Sequence, residues 1–171
     1  MMQDYAEDAV RMARQLHVEL DYSEQSLEQV EHLLAQLHNG LQIPAEFLSG
    51  PQVDHMAAGP VTSGVENRVD ELARVWGGYL GEVVRRRFGG EWTVEKYPAG
   101  DFLIVTLNVN GAKLFPAMKI HKRLTNGAAD DLLAFYRNVR ARLEVLPGEK
   151  FSNTPSIFFI IWPPAGVEFL V

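Results

Sequence analysis

The chain has 171 residues, 47% of them hydrophobic and 22% charged, with a formal net charge of −6 and no cysteine. A chain of this length and composition buries roughly two thirds of its unfolded surface around its own core, and the missing cysteines exclude disulfides, thiolate zinc sites and cysteine nucleophiles. Residues 1–62 carry ten acids and two arginines, residues 63–171 twelve acids and fourteen lysines or arginines, a segregation that sets an acidic first third to face a basic remainder and argues against non-specific binding of nucleic acid or an anionic membrane.

In chain order, Tyr5, Ala9, Met12, Leu16 and Leu20 recur at helical spacing, widened by Ala6, Val10 and Ala13, and predict a helix over 4–20. His17 lies at the edge of that apolar face and reads as a packed core histidine. "DYS" breaks the run, and Ser23 or Ser26 is placed to cap a second helix, Ser26 with Gln29 forming a capping box. Leu27, Val30, Leu34 and Leu37 carry this helix to about His38, where Asn39-Gly40 stops it, so residues 1–39 are expected to form a helical hairpin. From 40 to 62 no period survives, and this stretch reads as a linker or long loop. Ser63 and Glu66 predict a capping box for a third helix, with Val65, Val69, Leu72, Trp76, Tyr79, Leu80 and Val83 on its apolar face and a stop at Gly89-Gly90.

Strand signals follow in "WTVEKY" and "FLIVTLNV", separated by a "PAGD" turn, and Asn110-Gly111 predicts a tight hairpin into a short return strand ended by Pro116. "AMKIHKRL" fits a short helix stopped at Asn126-Gly127, with a continuing strand as the alternative. Leu132, Phe135, Tyr136, Val139 and Leu143 mark another helix, opened by Asp130 and Asp131. "IFFIIW" reads as a buried strand and "VEFLV" as an edge strand. The expected fold is α+β: the hairpin of 1–39, the linker of 40–62, and a core of 63–171 with a small antiparallel sheet and packed helices.

Three glycines, Gly77, Gly78 and Gly81, interrupt the third helix beside Glu82. Each costs about 1 kcal/mol relative to alanine, which points to a strand or helix backbone lying against the glycine face. Gly77 and Gly81 share a face, and Gly78 is one turn before Glu82, where it clears space for that side chain. Glu82 has three readings: an ion pair with Arg85 or Arg86, a structural carboxylate accepting backbone N–H groups, or a catalytic acid, base or metal ligand.

The stretches "YLGEVVRRRFGGEW", "LFPAMKIHKRLTNG" and "DDLLAFYR", with "LDYSEQSLEQVEHLL" before them, resemble a pattern in a family of small bacterial proteins of unknown function, over residues 16–38 and 76–138. The resemblance implies an α+β fold and framework roles for Gly81, Glu82, Trp92, Pro116, Lys119 and Leu124; it implies no activity.

Of the five histidines, none forms an HExxH motif or a His pair at i, i+4. Glu28 and His32 are four apart and read as an exposed pair rather than two metal ligands. No nucleophile elbow, P-loop or dinucleotide fingerprint is present, so neither a cofactor nor a metal is expected. Two basic clusters, Arg85-Arg86-Arg87 and Lys119 with His121, Lys122 and Arg123, are candidate partner-binding groups or internal contacts with the first two helices; nucleic acid is disfavoured by the absence of interleaved aromatics. The N-terminus has acids where a signal peptide has bases, giving a cytoplasmic expectation with no membrane span. The expected function is a non-enzymatic protein-binding or adaptor module, immunity- or regulator-like; the alternative is a small enzyme acting on an anionic small molecule through Glu82 and the basic 119–123 segment.

Overall fold

The computed structural model describes residues 1–40, 64–96 and 102–144. The expected linker, the Ser63 cap, the "PAGD" turn and the two C-terminal strands lie outside the described residues. Among the described residues, five helices and three strands follow one another as α1 (Met2–Gln15), α2 (Ser26–His38), α3 (Gly64–Phe88), β1 (Glu91–Lys96), β2 (Leu103–Val109), β3 (Ala112–Leu114), α4 (Pro116–Asn126), a 3-10 turn (Gly127–Asp130) and α5 (Leu132–Glu144). The α+β expectation holds. None of the described helices is long and apolar enough to cross a membrane.

The main contacts of α1 are with α3, and those of α2 are with α4 and α5. One hydrophobic core runs from Ala9 through Trp76, Tyr79 and Leu107 to Leu143, so the N-terminal helices and the sheet-bearing part share it. The packed stripe of α1 is the small one, Ala6, Ala9 and Ala13, while Tyr5, Met12 and Leu16 are only partly buried. Small side chains win because the two helices come very close at Gly78. A methyl group there would lie 2.8 Å from the Met2 carbonyl oxygen and 2.9 Å from Tyr5 Cβ. Gly78 therefore makes room for α1 and not, as its spacing suggested, for Glu82.

The first helix ends five residues before the expected Leu20. Val18 N–H bonds the Ala13 carbonyl and His17 N–H that of Arg14, at 2.9 and 3.0 Å, with His17 at φ +62°. This is a Schellman stop with histidine where glycine is the usual occupant. His17 is exposed, not packed in the core. An L-residue is strained in this conformation, so His17→Gly is expected to raise stability by about 1 kcal/mol; an unchanged or lower urea midpoint contradicts this.

Ser23 does not occupy the cap position of α2, which is Gln25, but its Oγ accepts the Ser26 N–H at 3.2 Å across the turn that leads into the helix. The Ser26–Gln29 capping box does not form, because Ser26 Oγ donates to the Ser23 carbonyl and lies 2.6 Å from the Tyr79 hydroxyl. The same hydroxyl accepts the Tyr22 N–H at 2.9 Å, and the Tyr22 and Tyr79 rings stack. The turn between α1 and α2 is thereby fastened to the middle of α3.

The strands form an antiparallel meander, with Trp92 opposite Leu107 and Leu107 opposite Leu114. Asn110 and Gly111 both take positive φ, +50° and +85°, as a type I′ hairpin requires. The segment after Pro116 is a helix, with the proline in its first turn. Asp131 caps α5 through the Ala134 N–H at 2.5 Å. Asp130 belongs instead to the 3-10 turn and bonds Lys119.

Candidate functional site

The last turns of α3 and the first residues of β1 enclose Glu82. Gly89 takes φ +78° and its N–H bonds the Arg85 carbonyl at 2.8 Å, which ends α3 and returns the chain along it. The return brings the Trp92 ring onto Gly81, where any Cβ would overlap the indole. A methyl at Gly77 would lie 2.5 Å from Ala117 Cα, so α4 covers the same glycine face. Gly77 and Gly81 thus offset their helix cost by close contact, with a backbone at Gly77 and an indole ring at Gly81.

Glu82 is 1% exposed. Its Oε1 accepts the Trp92 Nε1–H at 2.9 Å and the Arg85 Nε–H at 2.8 Å; its Oε2 accepts from Arg85 Nη2 at 2.9 Å. Arg86 Nε stands 3.8 Å from Oε2. The ion-pair reading is correct, and the structural reading is corrected in its donors, which are side chains rather than backbone N–H groups. Burial pushes the Glu82 carboxyl up, but the bonds from Arg85 and Trp92 and the charges of Arg85 and Arg86 outweigh it and hold the group below the ordinary glutamate value. A depressed folded value stabilises the fold above about pH 4.5, and that contribution is lost as pH falls through it. Glu82→Gln is expected to cost about 1.5–3 kcal/mol at pH 7, the worth of charge-assisted bonds, with the gap to the parent closing in acid. Urea unfolding at pH 7 and pH 3 checks both; an equal gap at the two values contradicts the assignment.

The other candidates are dispersed. Lys119 Nζ bonds Asp130 at 3.1 Å and lies 5.7 Å from the centre of the Phe135 ring. His121 is exposed, its Nε2 3.5 Å from Asp70 Oδ1. Lys122 is half-buried, and burial lowers its pKa. Arg123, a candidate for a partner face or for an internal contact with the first two helices, makes the internal contact: it is 2% exposed and its Nε and Nη2 reach Glu31 Oε1 at 2.8 and 2.7 Å. Glu31 Oε2 accepts the Leu132 N–H at 2.9 Å, so one carboxylate joins α2, α4 and α5.

The arginines that follow Glu82 also find partners within the fold, while Arg86 and Arg87 stay exposed. Arg86 lies 3.5 Å above the Tyr22 ring, and Arg87 stands 3.6 Å from both Glu24 and Glu144. Arg140 completes a ring of alternating charges by bonding Glu24 and Glu144, each at 2.9 Å. Among the described residues, Glu24 and Glu31 of the acidic part thus meet Arg87, Arg140 and Arg123 of the basic part. A cleft of about 480 Å³ lies elsewhere, between the end of α1 and α2, lined by His17, Glu19, Glu28 and His32 over Leu16 and Leu33. His32 bonds Gln36 and not Glu28. Among the described residues no group of three or more acidic or histidine side chains is placed to hold a metal ion.

Glu31, Glu24 and Asp130 escaped sequence reasoning. Glu31 had a legible signal: it lies at i+4 from Leu27 and i−3 from Leu34, inside the apolar stripe of α2. Comparisons with protein-family models, curated proteins and solved structures find no match to this chain.

Proposed function

We propose that this chain is a non-enzymatic protein-binding module of adaptor or regulator type, docking through the exposed apolar side chains on one face of the β1–β2 ribbon. One observation carries the reading. Among the described residues, four large apolar side chains are exposed, and two of them, Val94 and Leu103, share one face of the β1–β2 ribbon. Exposed apolar groups scattered singly need no explanation, whereas a cluster marks an interaction surface. The enzymatic alternative has less support, since Glu82, Lys119 and His121 each engage a different acid or base and share no partner among the described residues.

The test is capture from a lysate of the source cell with the tagged chain, beside a Val94→Lys/Leu103→Lys variant that melts like the parent. The reading expects a protein bound by the parent and lost with the variant, and a loss of about ten-fold or more in affinity when that protein is purified and remeasured. Equal capture by both chains overturns it.

A further inference from the structure

We propose that the cleft between the end of α1 and α2 is a binding site for a small organic cation with a flat apolar body, of the arylalkylamine class. The cleft shares no residue with the β1–β2 ribbon, so its occupant is independent of the protein-binding reading.

Two short stretches of chain build the cleft. The turn that leaves the Schellman stop, residues 16–19, forms one wall, and one side of α2 from Glu28 to Gln36 forms the other. That part of α2 is about 12 Å long. The volume, about 480 Å³, is of the size that holds a small molecule.

The floor is apolar. Leu33 is buried, and Leu16 and Val18 are partly buried against the core. The rim is polar and negative. Glu19 and Glu28 are exposed, and among the described residues neither lysine nor arginine lines the cleft.

These two carboxylates differ from their neighbours in the chain. Glu24 is paired with Arg87 and Arg140, and Glu31 with Arg123. Glu28 makes no ion pair among the described residues, and His32, four positions on, bonds Gln36 instead. Glu19 has Arg14 Nε at 3.7 Å, but both side chains are largely exposed, and water screens such a contact. The negative charge at the rim is therefore left for an occupant to meet.

Floor and rim together select that occupant. An apolar floor suits an aromatic body, and the carboxylates suit a positive charge at one end of it. The ammonium reaches the rim and keeps much of its water there, as the charged head of a lysine does above an apolar surface. An anion of the same shape would meet two like charges. A bare metal ion does not fit, because among the described residues no group of three or more acidic or histidine side chains is placed to hold one.

The test uses the full chain and two probes of one shape: tryptamine, a cation at pH 7, and tryptophol, its neutral hydroxyl counterpart. In an NMR titration of the backbone amides, tryptamine is expected to saturate with a Kd on the order of 1 mM, as befits a fragment of this size. Its shifts are expected to gather at residues 16–19 and 28–36. Glu19→Gln/Glu28→Gln changes two exposed side chains, so the variant is expected to melt close to the parent. It is expected to weaken tryptamine about five-fold, the worth of two screened ion pairs, and to leave tryptophol unchanged. Tryptamine that fails to saturate by about 10 mM overturns the proposal, as do shifts that gather away from the cleft. An equal loss for both probes in the variant, or no loss for either, also overturns it.

Discussion

Replacing Gly81 by leucine is expected to lower the melting temperature by about 5–25 °C, or to abolish a cooperative melt. The Trp92 indole occupies the space of the missing side chain, and it is held there by its bond to Glu82. Leucine displaces the ring, which adds the cost of overpacking, about 1–3 kcal/mol, to that of a charge-assisted bond, about 1.5–3 kcal/mol. For a domain of this size each kcal/mol moves the midpoint by about 2–4 °C. Gly81→Ala tests the same contact more gently: its gain of about 1 kcal/mol in helix propensity is expected to be outweighed by the overlap. A leucine variant melting with the parent would mean that the ring is not seated on Gly81.

Arg123→Leu is expected to cost about 3–5 kcal/mol, because it leaves the Glu31 carboxylate within the fold with the Leu132 N–H as its remaining bond among those described. The double variant Glu31→Leu/Arg123→Leu is expected to recover a large part of that loss, since removing both members of a buried pair is often near neutral. Chemical denaturation of the two single variants and the double one checks this. Additive losses would mean that the two side chains do not act as a pair.

Much of the framework was legible because it depends on short-range chemistry. Asn110-Gly111 fixed a hairpin, Pro116 ended the return strand, and three glycines in one helix announced close neighbours. The acidic and basic parts of the chain do meet, at Arg87–Glu24, Arg140–Glu24 and Arg123–Glu31. What escaped depends on which elements meet across the fold. Gly78 serves α1 because α1 lies along α3, a fact that no spacing within α3 contains. For Arg123 the basic cluster left two readings open, a partner face and an internal contact with the first two helices, and spacing alone did not choose between them. Its position on α4 beside Ile120 and Leu124, both buried, is what turns it inward. His17 looked like a core residue because the apolar period extends past it, while the Schellman stop, which ends the helix there, has no glycine to signal it.

The same logic assigns Glu82 to the framework. It accepts the indole N–H that fastens β1 to α3, and Arg85 balances its charge. A group doing this stays ionised to low pH, whereas a carboxyl serving as a general acid near neutrality needs a raised pKa. The most direct measurement is an NMR titration of the Glu82 side-chain carboxyl carbon in the intact chain. The account predicts a midpoint below 4.5, the ordinary glutamate value; a midpoint above it would contradict the framework role and return Glu82 to the list of candidate acids.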